Sequence, residues 1–211
     1  MSDIQCAARF LIVRHAESGA DQGESASGPG LTERGIAQAR ALGEQLRGAR
    51  IADVFTSTMP RAQQTGEHIA AQLGTTPAEL PGVQEYATST EAPPGSQEEA
   101  AGTIEAWWRG DLSARLPQGE SGLELVGRFA AAIEDCADTY RGETVLVVSH
   151  GGVMTLALAR LTGRPDVLAA RWVPYGGLAR VDVDADGWAL HEWPGSAEPS
   201  GARQAWSGLS A

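Results

Sequence analysis

The chain has 211 residues, 42% of them hydrophobic and 20% charged, which is enough to bury a core of ordinary size. A formal net charge of −11 argues against general nucleic-acid binding, because that needs a basic surface. With two cysteines, no signal-peptide pattern and no apolar run long enough to cross a bilayer, we expect a cytoplasmic protein that makes no contact with membranes.

Predicted strands and helices alternate through the first third of the chain. Phe10–Val13 is a short apolar stretch that predicts a buried strand, and Ile51–Ser57 predicts a second one. Leu31–Gly48 has the apolar spacing of a helix, with Thr32 at its N-cap. Pro60–Gly74 follows as a second helix that begins with proline and ends at glycine.

The middle of the chain is the least regular part. Thr75–Gly102 is rich in Pro, Gly, Ser and Thr and is long for a connection inside a compact domain. Thr103–Leu112 then predicts a short amphipathic helix. We therefore predict that residues 75–118 form a lid or a segment that selects the substrate.

The second half repeats the alternation and ends in a hairpin. Gly119–Tyr140 predicts a helix, Glu143–His150 a central strand and Gly151–Gly163 another helix. Gly177–Asp184 and Gly187–Trp193 alternate in polarity and predict two antiparallel strands. The pattern as a whole predicts an α/β fold with a mostly parallel sheet.

The same pattern sets the expected domain organisation. We predict a single catalytic domain over residues 1–195 and a flexible tail over 196–211, which is polar and rich in small residues. A homodimer formed through the terminal hairpin is left open by the sequence.

Basic and titratable side chains follow the three predicted parallel strands. Arg14 and His15 come directly after the first strand, Arg61 opens the helix after the second, and His150 follows the third. Arginine and histidine are poor core residues unless they are paired. Because ligands of such sheets bind at the carboxyl ends of the strands, we predict that the four side chains share one site.

The residue types in this set suit a phosphoryl group. Two guanidinium groups match phosphate oxygens, and the Gly151–Gly152 helix start would offer free N–H groups to an anion. The chain contains no lysine, so it has no nucleotide P-loop, and no ligand cluster in the sequence predicts a metal. The nucleophile is then a histidine, which neighbouring arginines keep neutral.

Transfer of a phosphoryl group also requires a proton donor for the leaving oxygen. Glu85 lies at the start of the irregular segment, just after an apolar stretch, and is the first candidate. Glu79 and Glu91 lie close by, and the spacing alone does not choose among the three.

Five segments together resemble the motifs of the histidine phosphatase superfamily, the phosphoglycerate-mutase-like enzymes. They are LIVRHAES, LTERGIAQA, TSTMPRAQQT, PQGES and VVSHGGVM, in the family's order over roughly residues 9–160. The resemblance implies a three-layer α/β/α sandwich and a reaction that needs no metal and no cofactor.

The resemblance also implies roles for individual residues. His15 would be the phosphorylated nucleophile and Glu85 the proton donor. Arg14, Arg61 and His150 would complete the phosphate pocket and take part in catalysis.

Several positions depart from the family's usual pattern. Ala16 replaces the glycine of the usual RHG motif and would slightly narrow the space beside the nucleophile. Gln22 or Asp21 stands near the position of a substrate-contacting asparagine. We add Gln22, Thr32 and Gly151 as candidate substrate-binding residues. Many broad phosphatases of the family have one motif after the proton donor, and cofactor-dependent mutases have another. The stretch after Glu85 in this sequence has neither motif.

These features favour a phosphatase acting on a small-molecule phosphomonoester. A cofactor-dependent mutase of the phosphoglycerate type is the second enzyme hypothesis. A phosphate-binding regulatory module without turnover is the alternative from another class. Arg115 and the PQGES turn would contact either a second anionic group or solvent, and the sequence leaves both open.

Overall fold

A computed structural model describes residues 6–19, 30–86, 96–170 and 172–195, which form a six-stranded sheet flanked by helices. The strands are β1 (Ala8–Arg14), β2 (Ile51–Thr56), β3 (Ala78–Glu79), β4 (Thr144–Ser149), β5 (Leu178–Asp184) and β6 (Gly187–Glu192). The helices are α1 (Glu33–Leu46), α2 (Pro60–Leu73), α3 (Ser96–Trp108), α4 (Gly122–Thr139), α5 (Gly151–Leu161) and α6 (Pro165–Ala169).

The sheet is mixed, and its parallel part positions the site. Its strand order is β3-β2-β4-β1-β5-β6, with β1, β2, β3 and β4 parallel to one another and the β5–β6 hairpin added antiparallel beside β1. This confirms the predicted α/β fold with a mostly parallel sheet and the terminal hairpin. Arg14 pairs with Ser149 and Thr56 with Val148, so β1, β2 and β4 end at one edge.

Helices cover both faces of the sheet because the central strands alternate their side chains. Leu11 and Val13 of β1 pack into one apolar cluster that includes residues of α1 and α2. Phe10 and Ile12 pack into a second cluster that includes residues of α4 and α5. The three-layer α/β/α sandwich is therefore confirmed.

Local signals in the sequence account for several helix ends. The Thr32 side chain accepts a 3.0 Å hydrogen bond from the Gly35 N–H and caps α1 as predicted. Gly74 ends α2 with a φ of 75°, a left-handed conformation that glycine adopts at little cost. Ser121 and Glu124 form a capping box at the start of α4.

The middle of the chain is more regular than predicted. Helix α3 begins at Ser96, ahead of the predicted start at Thr103, and β3 lies within the stretch predicted to be irregular. Trp107 is fully buried in α3, where its indole N–H donates to the Ala114 carbonyl at 2.7 Å. This contact anchors the part of α3 that the sequence predicted to be helical, whereas the turns from Ser96 to Gly102 were not predicted. The role of residues 75–118 as a lid stays a prediction.

Two further features of the described residues concern membrane-spanning helices and the cysteines. Within them, no helix combines the length and the hydropathy needed to cross a membrane. Cys6 is exposed and Cys136 is buried, and both are free thiols.

Candidate active site

The two histidines that follow β1 and β4 lie side by side at the carboxyl edge of the sheet. The backbone N–H of His15 donates to the Ser149 carbonyl at 2.9 Å, which joins the two strand ends. The rings of His15 and His150 have centroids 5.1 Å apart. Both side chains are buried, with exposed fractions of 5% and 0%. The structure thus brings together side chains that are far apart in the sequence.

The hydrogen bonds of His15 define its tautomer. Nδ1 lies 2.8 Å from the Ala16 carbonyl oxygen, which can only accept, so Nδ1 carries the proton. Nε2 is then unprotonated, and its lone pair accepts a hydrogen bond from the Arg61 Nε–H at 3.2 Å. Burial, and next the charges of Arg61 and Arg14, hold the pKa of His15 well below its usual 6.5. A neutral imidazole with Nε2 unprotonated is the form required of a nucleophile.

Arg14 is held in a fixed orientation. Its guanidinium carbon lies over the rings of Trp172 and Tyr175, at 4.7 and 4.0 Å from their centroids, and Nη1 donates to the Val173 carbonyl at 2.5 Å. Its Nε is buried and has no hydrogen-bond partner among the described residues. A cation that is oriented and keeps a free donor suits the binding of a phosphate oxygen.

Tyr175 is a site residue that the sequence reasoning missed. Besides stacking on Arg14, its ring lies 5.6 Å from that of His15. The turn that carries it is tied to the end of β1, because the Gly176 N–H donates to the Arg14 carbonyl and the Arg14 N–H to the Gly177 carbonyl. The sequence holds no short-range signal for this contact, which depends on β5 pairing with β1.

Ser57 contacts the ring of His150. Its Oγ lies 2.6 Å from Nε2 of His150 and accepts the Met59 N–H at 3.3 Å. A hydroxyl can donate to Nε2 or accept from it, and a proton on Nδ1 of His150 goes with Ser57 as the donor. That Nδ1 is buried without a partner among the described residues. Burial, followed by the neighbouring His15 and arginines, holds the pKa of His150 well below 6.5.

The carboxylate of Glu85 lies at the start of α5. Its Oε2 accepts from the Gly152 N–H at 2.9 Å and its Oε1 from the Val153 N–H at 2.8 Å. The sequence predicted that the N–H groups of Gly151 and Gly152 face a bound anion, and this is corrected for Gly152, whose N–H Glu85 occupies. Burial raises the pKa of Glu85 above 4.5 despite these hydrogen bonds and the charges of Arg61 and Arg14, which lower it.

The glycines that open α5 allow close packing. A Cβ on Gly151 would lie 3.2 Å from Cδ of Arg14, and one on Gly152 would lie 2.8 Å from Oε1 of Glu85 and 2.5 Å from the Tyr86 ring. Gly151 thus leaves room for Arg14 against the helix start. Direct binding of substrate by Gly151 stays a prediction.

The three candidate acids have different surroundings. Glu79 is exposed on β3, where it accepts a hydrogen bond from the Gln63 side chain. Glu91 lies outside the described residues. The carboxyl group of Glu85 interacts electrostatically with both site arginines, Arg61 and Arg14.

The remaining sequence candidates are less central. Gln22 and its neighbour Asp21 lie outside the described residues. The Thr32 hydroxyl caps α1 and donates to Oε1 of Glu17 at 2.9 Å, and its role in substrate binding stays a prediction. The Ala16 side chain belongs to the apolar cluster beneath α1 and α2, with 1% of the residue exposed.

Arg115 and the PQGES turn were left open between a second anionic site and the surface. Arg115 is exposed, donates to the Gly119 carbonyl at 2.9 Å and pairs with Glu124. Across the described ranges, no group of three or more His, Cys, Asp or Glu side chains is placed to hold a metal ion.

Comparison with known proteins gives a consistent family. Residues 10–195 match the model of the histidine phosphatase superfamily (branch 1). A probable phosphoglycerate mutase GpmB of Yersinia pestis (strain Pestoides F) is 32% identical over 194 residues, which cover 88% of this chain and 89% of the relative.

Solved structures share the fold. The mycobacterial glucosyl-3-phosphoglycerate phosphatase superposes with a TM-score of 0.73 at 20% identity, over 90% of this chain and 100% of that one. A phosphoserine phosphatase mutant from Entamoeba histolytica, in complex with phosphoserine, gives 0.72 at 19% identity, over 89% and 96% of the two chains. At these identities the likeness shows the fold alone.

Proposed function

The chain belongs to the histidine phosphatase superfamily, branch 1, and from this premise we propose that it hydrolyses a small-molecule phosphomonoester through a phosphohistidine on His15. The observation that carries the proposal is the state of His15. Its ring is buried and neutral, Nδ1 is held by the Ala16 carbonyl, and Nε2 faces the Arg61 guanidinium.

In the first step, Nε2 of His15 attacks phosphorus, and the bond from phosphorus to the ester oxygen breaks as the P–N bond forms. The Glu85 carboxyl group gives its proton to the departing alkoxide, which leaves as the alcohol. Its raised pKa supports this role because a larger fraction stays protonated than for an exposed glutamate.

In the second step, water attacks the phosphohistidine on the face that the alcohol has left. The Glu85 carboxylate takes a proton from this water, the P–N bond breaks, and inorganic phosphate is released with His15 neutral again. Glu85 is then protonated for the next turnover, so one residue serves as acid and base in turn.

Arg14, Arg61 and His150 act on the non-bridging oxygens in both steps. The Arg61 hydrogen bond to Nε2 would be exchanged for one to phosphate when substrate binds, which frees the lone pair for attack. Nε of Arg14 is a buried donor and Nδ1 of His150 is a buried ring nitrogen, and neither has a protein partner among the described residues. In the proposal Ser57 donates to Nε2 of His150, so Nδ1 carries the proton and can donate to a phosphate oxygen.

Among the described residues, the charges near the pocket favour a singly phosphorylated substrate over a bisphosphate. Arg14 and Arg61 match the two charges of one phosphoryl group. Most other arginines pair with carboxylates: Arg9, Arg34, Arg47, Arg109, Arg115, Arg128, Arg141, Arg164 and Arg180. Arg160 lies at the far end of α5, Arg40 and Arg50 are exposed, and Arg171 and Arg203 lie outside the described residues.

The direct test uses aryl and alkyl phosphate monoesters. We expect phosphate release by the wild-type protein and none above background for His15→Ala. Glu85→Gln should slow ethyl phosphate by roughly 100-fold or more and para-nitrophenyl phosphate far less, because a good leaving group needs little protonation. Activity of His15→Ala equal to wild type would overturn the proposal, and equal losses on both substrates would reject Glu85 as the acid.

A mutase is the second candidate, favoured by the 32% identity to a probable phosphoglycerate mutase. The two reactions separate with phosphoglycerate as substrate. Isomerisation that depends on a bisphosphate primer and exceeds phosphate release would favour the mutase. Release of phosphate without isomerisation would favour the phosphatase.

A further inference from the structure

The loop that leads to Glu85 is attached to the protein frame at several backbone positions. The Leu80 N–H donates to the Thr56 carbonyl at 2.7 Å, at the end of β2. The Ser149 hydroxyl donates to the Val83 carbonyl at 2.7 Å, at the end of β4. Both strand ends that border the phosphate pocket therefore also hold this loop.

Arg128 of α4 makes the last attachment before Glu85. Its Nη1 donates to the carbonyls of Gly82 and Gln84 at 2.6 and 2.7 Å. Gln84 directly precedes Glu85, so this contact fixes the peptide from which the acid side chain begins. Hydrogen bonds from a charged donor are stronger than those between neutral groups.

Glu120 in turn holds Arg128 by a two-pronged ion pair. Nε and Nη2 of Arg128 donate to Oε2 and Oε1 of Glu120, each at 2.7 Å. The two side chains are only 22% and 23% exposed, which limits screening of the pair by solvent. Nε and Nη2 of the guanidinium thus bind the Glu120 carboxylate, while Nη1 binds two carbonyl groups of the loop.

The sequence motif PQGES supplies this carboxylate. Glu120 comes directly before Ser121, the N-cap of α4, and its carbonyl accepts from the Leu116 N–H at 3.0 Å. The capping box between Ser121 and Glu124 fixes the turn at the start of the helix that carries Arg128. The motif therefore has a structural link to the loop of Glu85.

The loop approaches α4 so closely that it has little freedom to shift. Gly82 has a φ of 109°, and a Cβ there would lie 2.8 Å from the Arg128 carbonyl oxygen. Proton transfer to a leaving oxygen requires the acid within hydrogen-bond reach. A shift of about 1 Å in such a group can cost on the order of 100-fold in rate.

We propose that Arg128, held by Glu120, is the positioning residue for the general acid Glu85. The inference rests on the proposed function, because it assigns the Glu120–Arg128 pair to leaving-group protonation. Arg128 touches the loop backbone and acts on the proton transfer through Glu85. Its charge is also one of several that lower the pKa of His150, an effect that Arg128→Lys keeps.

The test compares Arg128→Gln with Arg164→Gln, a matched control. Arg164 also makes a two-pronged pair, with Asp166 at 2.8 and 2.7 Å, but on the surface at the start of α6. We expect Arg128→Gln to lower kcat/KM for ethyl phosphate by roughly 10- to 100-fold and for para-nitrophenyl phosphate by about 3-fold or less. Arg164→Gln should change neither.

A second background separates positioning from general damage. If Arg128 acts through Glu85, Arg128→Gln should add almost nothing to the leaving-group dependence of Glu85→Gln, although the single variants each change it. Arg128→Lys, which keeps the charge but not the fork, should lie between wild type and Arg128→Gln. Glu120→Gln should shift the same ratio in the same direction, and thermal unfolding of each variant measures any loss of folded protein.

Three results would overturn the inference. Equal losses on both substrates for Arg128→Gln would mean a structural role only. Additive effects of Arg128→Gln and Glu85→Gln would mean that Arg128 acts by another route. If Glu85→Gln itself slows both substrates equally, the proposed acid fails and the inference fails with it, whereas a selective Glu85→Gln beside an unselective Arg128→Gln overturns the inference alone.

Discussion

At the scale of single residues, the site depends on protonation states that the surroundings impose. His15 is buried and Glu85 is partly buried, and desolvation favours the neutral form of each. It therefore lowers the pKa of the histidine and raises that of the carboxyl group. A neutral nucleophile and a protonated acid are the two forms that the proposed first step requires.

The first prediction concerns the pH dependence of kcat/KM. The acidic limb should lie below pH 6.5, because the pKa of His15 is held well below that value. The imidazole of His15 therefore stays neutral until the pH falls to this lowered pKa. On the alkaline side, activity should fall as pH rises through the raised pKa of Glu85, where the acid loses its proton. Steady-state kinetics with ethyl phosphate across the pH range measures both limbs.

Glu85→Gln is the control for this profile, since the ionisation of the substrate is the same for both proteins. The variant should be slow throughout and lose the alkaline decline that depends on Glu85. An acidic limb centred above pH 6.5, or an alkaline decline that persists unchanged in the variant, would contradict the assignment.

The second prediction concerns Tyr175. Its ring centroid lies 4.0 Å from the guanidinium carbon of Arg14. In the proposed function, this contact orients the N–H groups that Arg14 donates to the phosphate. Tyr175→Leu should raise the inhibition constant of inorganic phosphate by roughly 3- to 30-fold, the equivalent of one cation–π contact. Tyr175→Phe keeps the ring but loses the hydroxyl, which also interacts with Arg14, so its inhibition constant should lie between those of wild type and the leucine variant. Competitive inhibition assays decide the point, and an unchanged constant for the leucine variant would exclude the orienting role.

At the scale of secondary-structure elements, helix α2 is placed on the sheet by close contact. Gly66 is buried in α2, and a Cβ there would lie 2.2 Å from Cγ2 of Thr56, the last residue of β2. The first turn of the same helix carries Arg61. The approach of α2 to β2 therefore also sets the position of a site cation.

The third prediction contrasts two helical glycines. Gly66→Ala should lower the free energy of unfolding by about 1–3 kcal/mol, because the methyl group has no space, and it should also reduce activity through Arg61. Gly127→Ala in α4 is the control, since a Cβ there would meet nothing within 4 Å, and it should raise the free energy by about 0.5–1 kcal/mol. Chemical denaturation measures both, and stabilisation by both would refute the packing argument.

At the scale of the whole molecule, the site is built where several elements meet. His15 directly follows β1 and His150 directly follows β4, and both strands end at the same edge of the sheet as β2. Helix α2 supplies Arg61, and the turn before β5 supplies Tyr175. Burying two imidazoles at this junction links the site to the stability of the fold.

The fourth prediction is that the free energy of unfolding falls as pH drops below about 6.5. The pKa values of His15 and His150 are well below 6.5 in the folded protein, so the unfolded chain takes up protons first. Each histidine contributes at most about 1.4 kcal/mol per pH unit, between its unfolded and its folded pKa. Glu85, with a raised pKa, acts in the opposite sense but is one group against two.

Denaturation at a series of pH values tests this dependence. His150→Gln cannot titrate at this position, so its stability should fall less steeply on acidification than that of wild type, whatever its absolute level. Parallel curves for the two proteins would mean that His150 does not contribute to the linkage.

The sequence by itself determined the layers of the fold and most of the pocket. Apolar strands alternating with amphipathic helices require a covered parallel sheet, and parallel strands place their following residues at one edge. That reasoning was enough to bring Arg14, His15, Arg61 and His150 together. Thr32 was placed correctly as a cap because capping is a local property of a few neighbouring residues.

Only the tertiary structure decided which groups hydrogen-bond and orient the side chains of the pocket. Arg14 and Val173 are 159 positions apart and meet because β5 pairs with β1. Glu85 occupies the N–H group of Gly152, which the sequence had predicted to face the substrate, and Arg128 reaches the Glu85 loop from α4. Such contacts have no periodicity or short-range signal, since they depend on which backbone groups remain unpaired once the layers have packed.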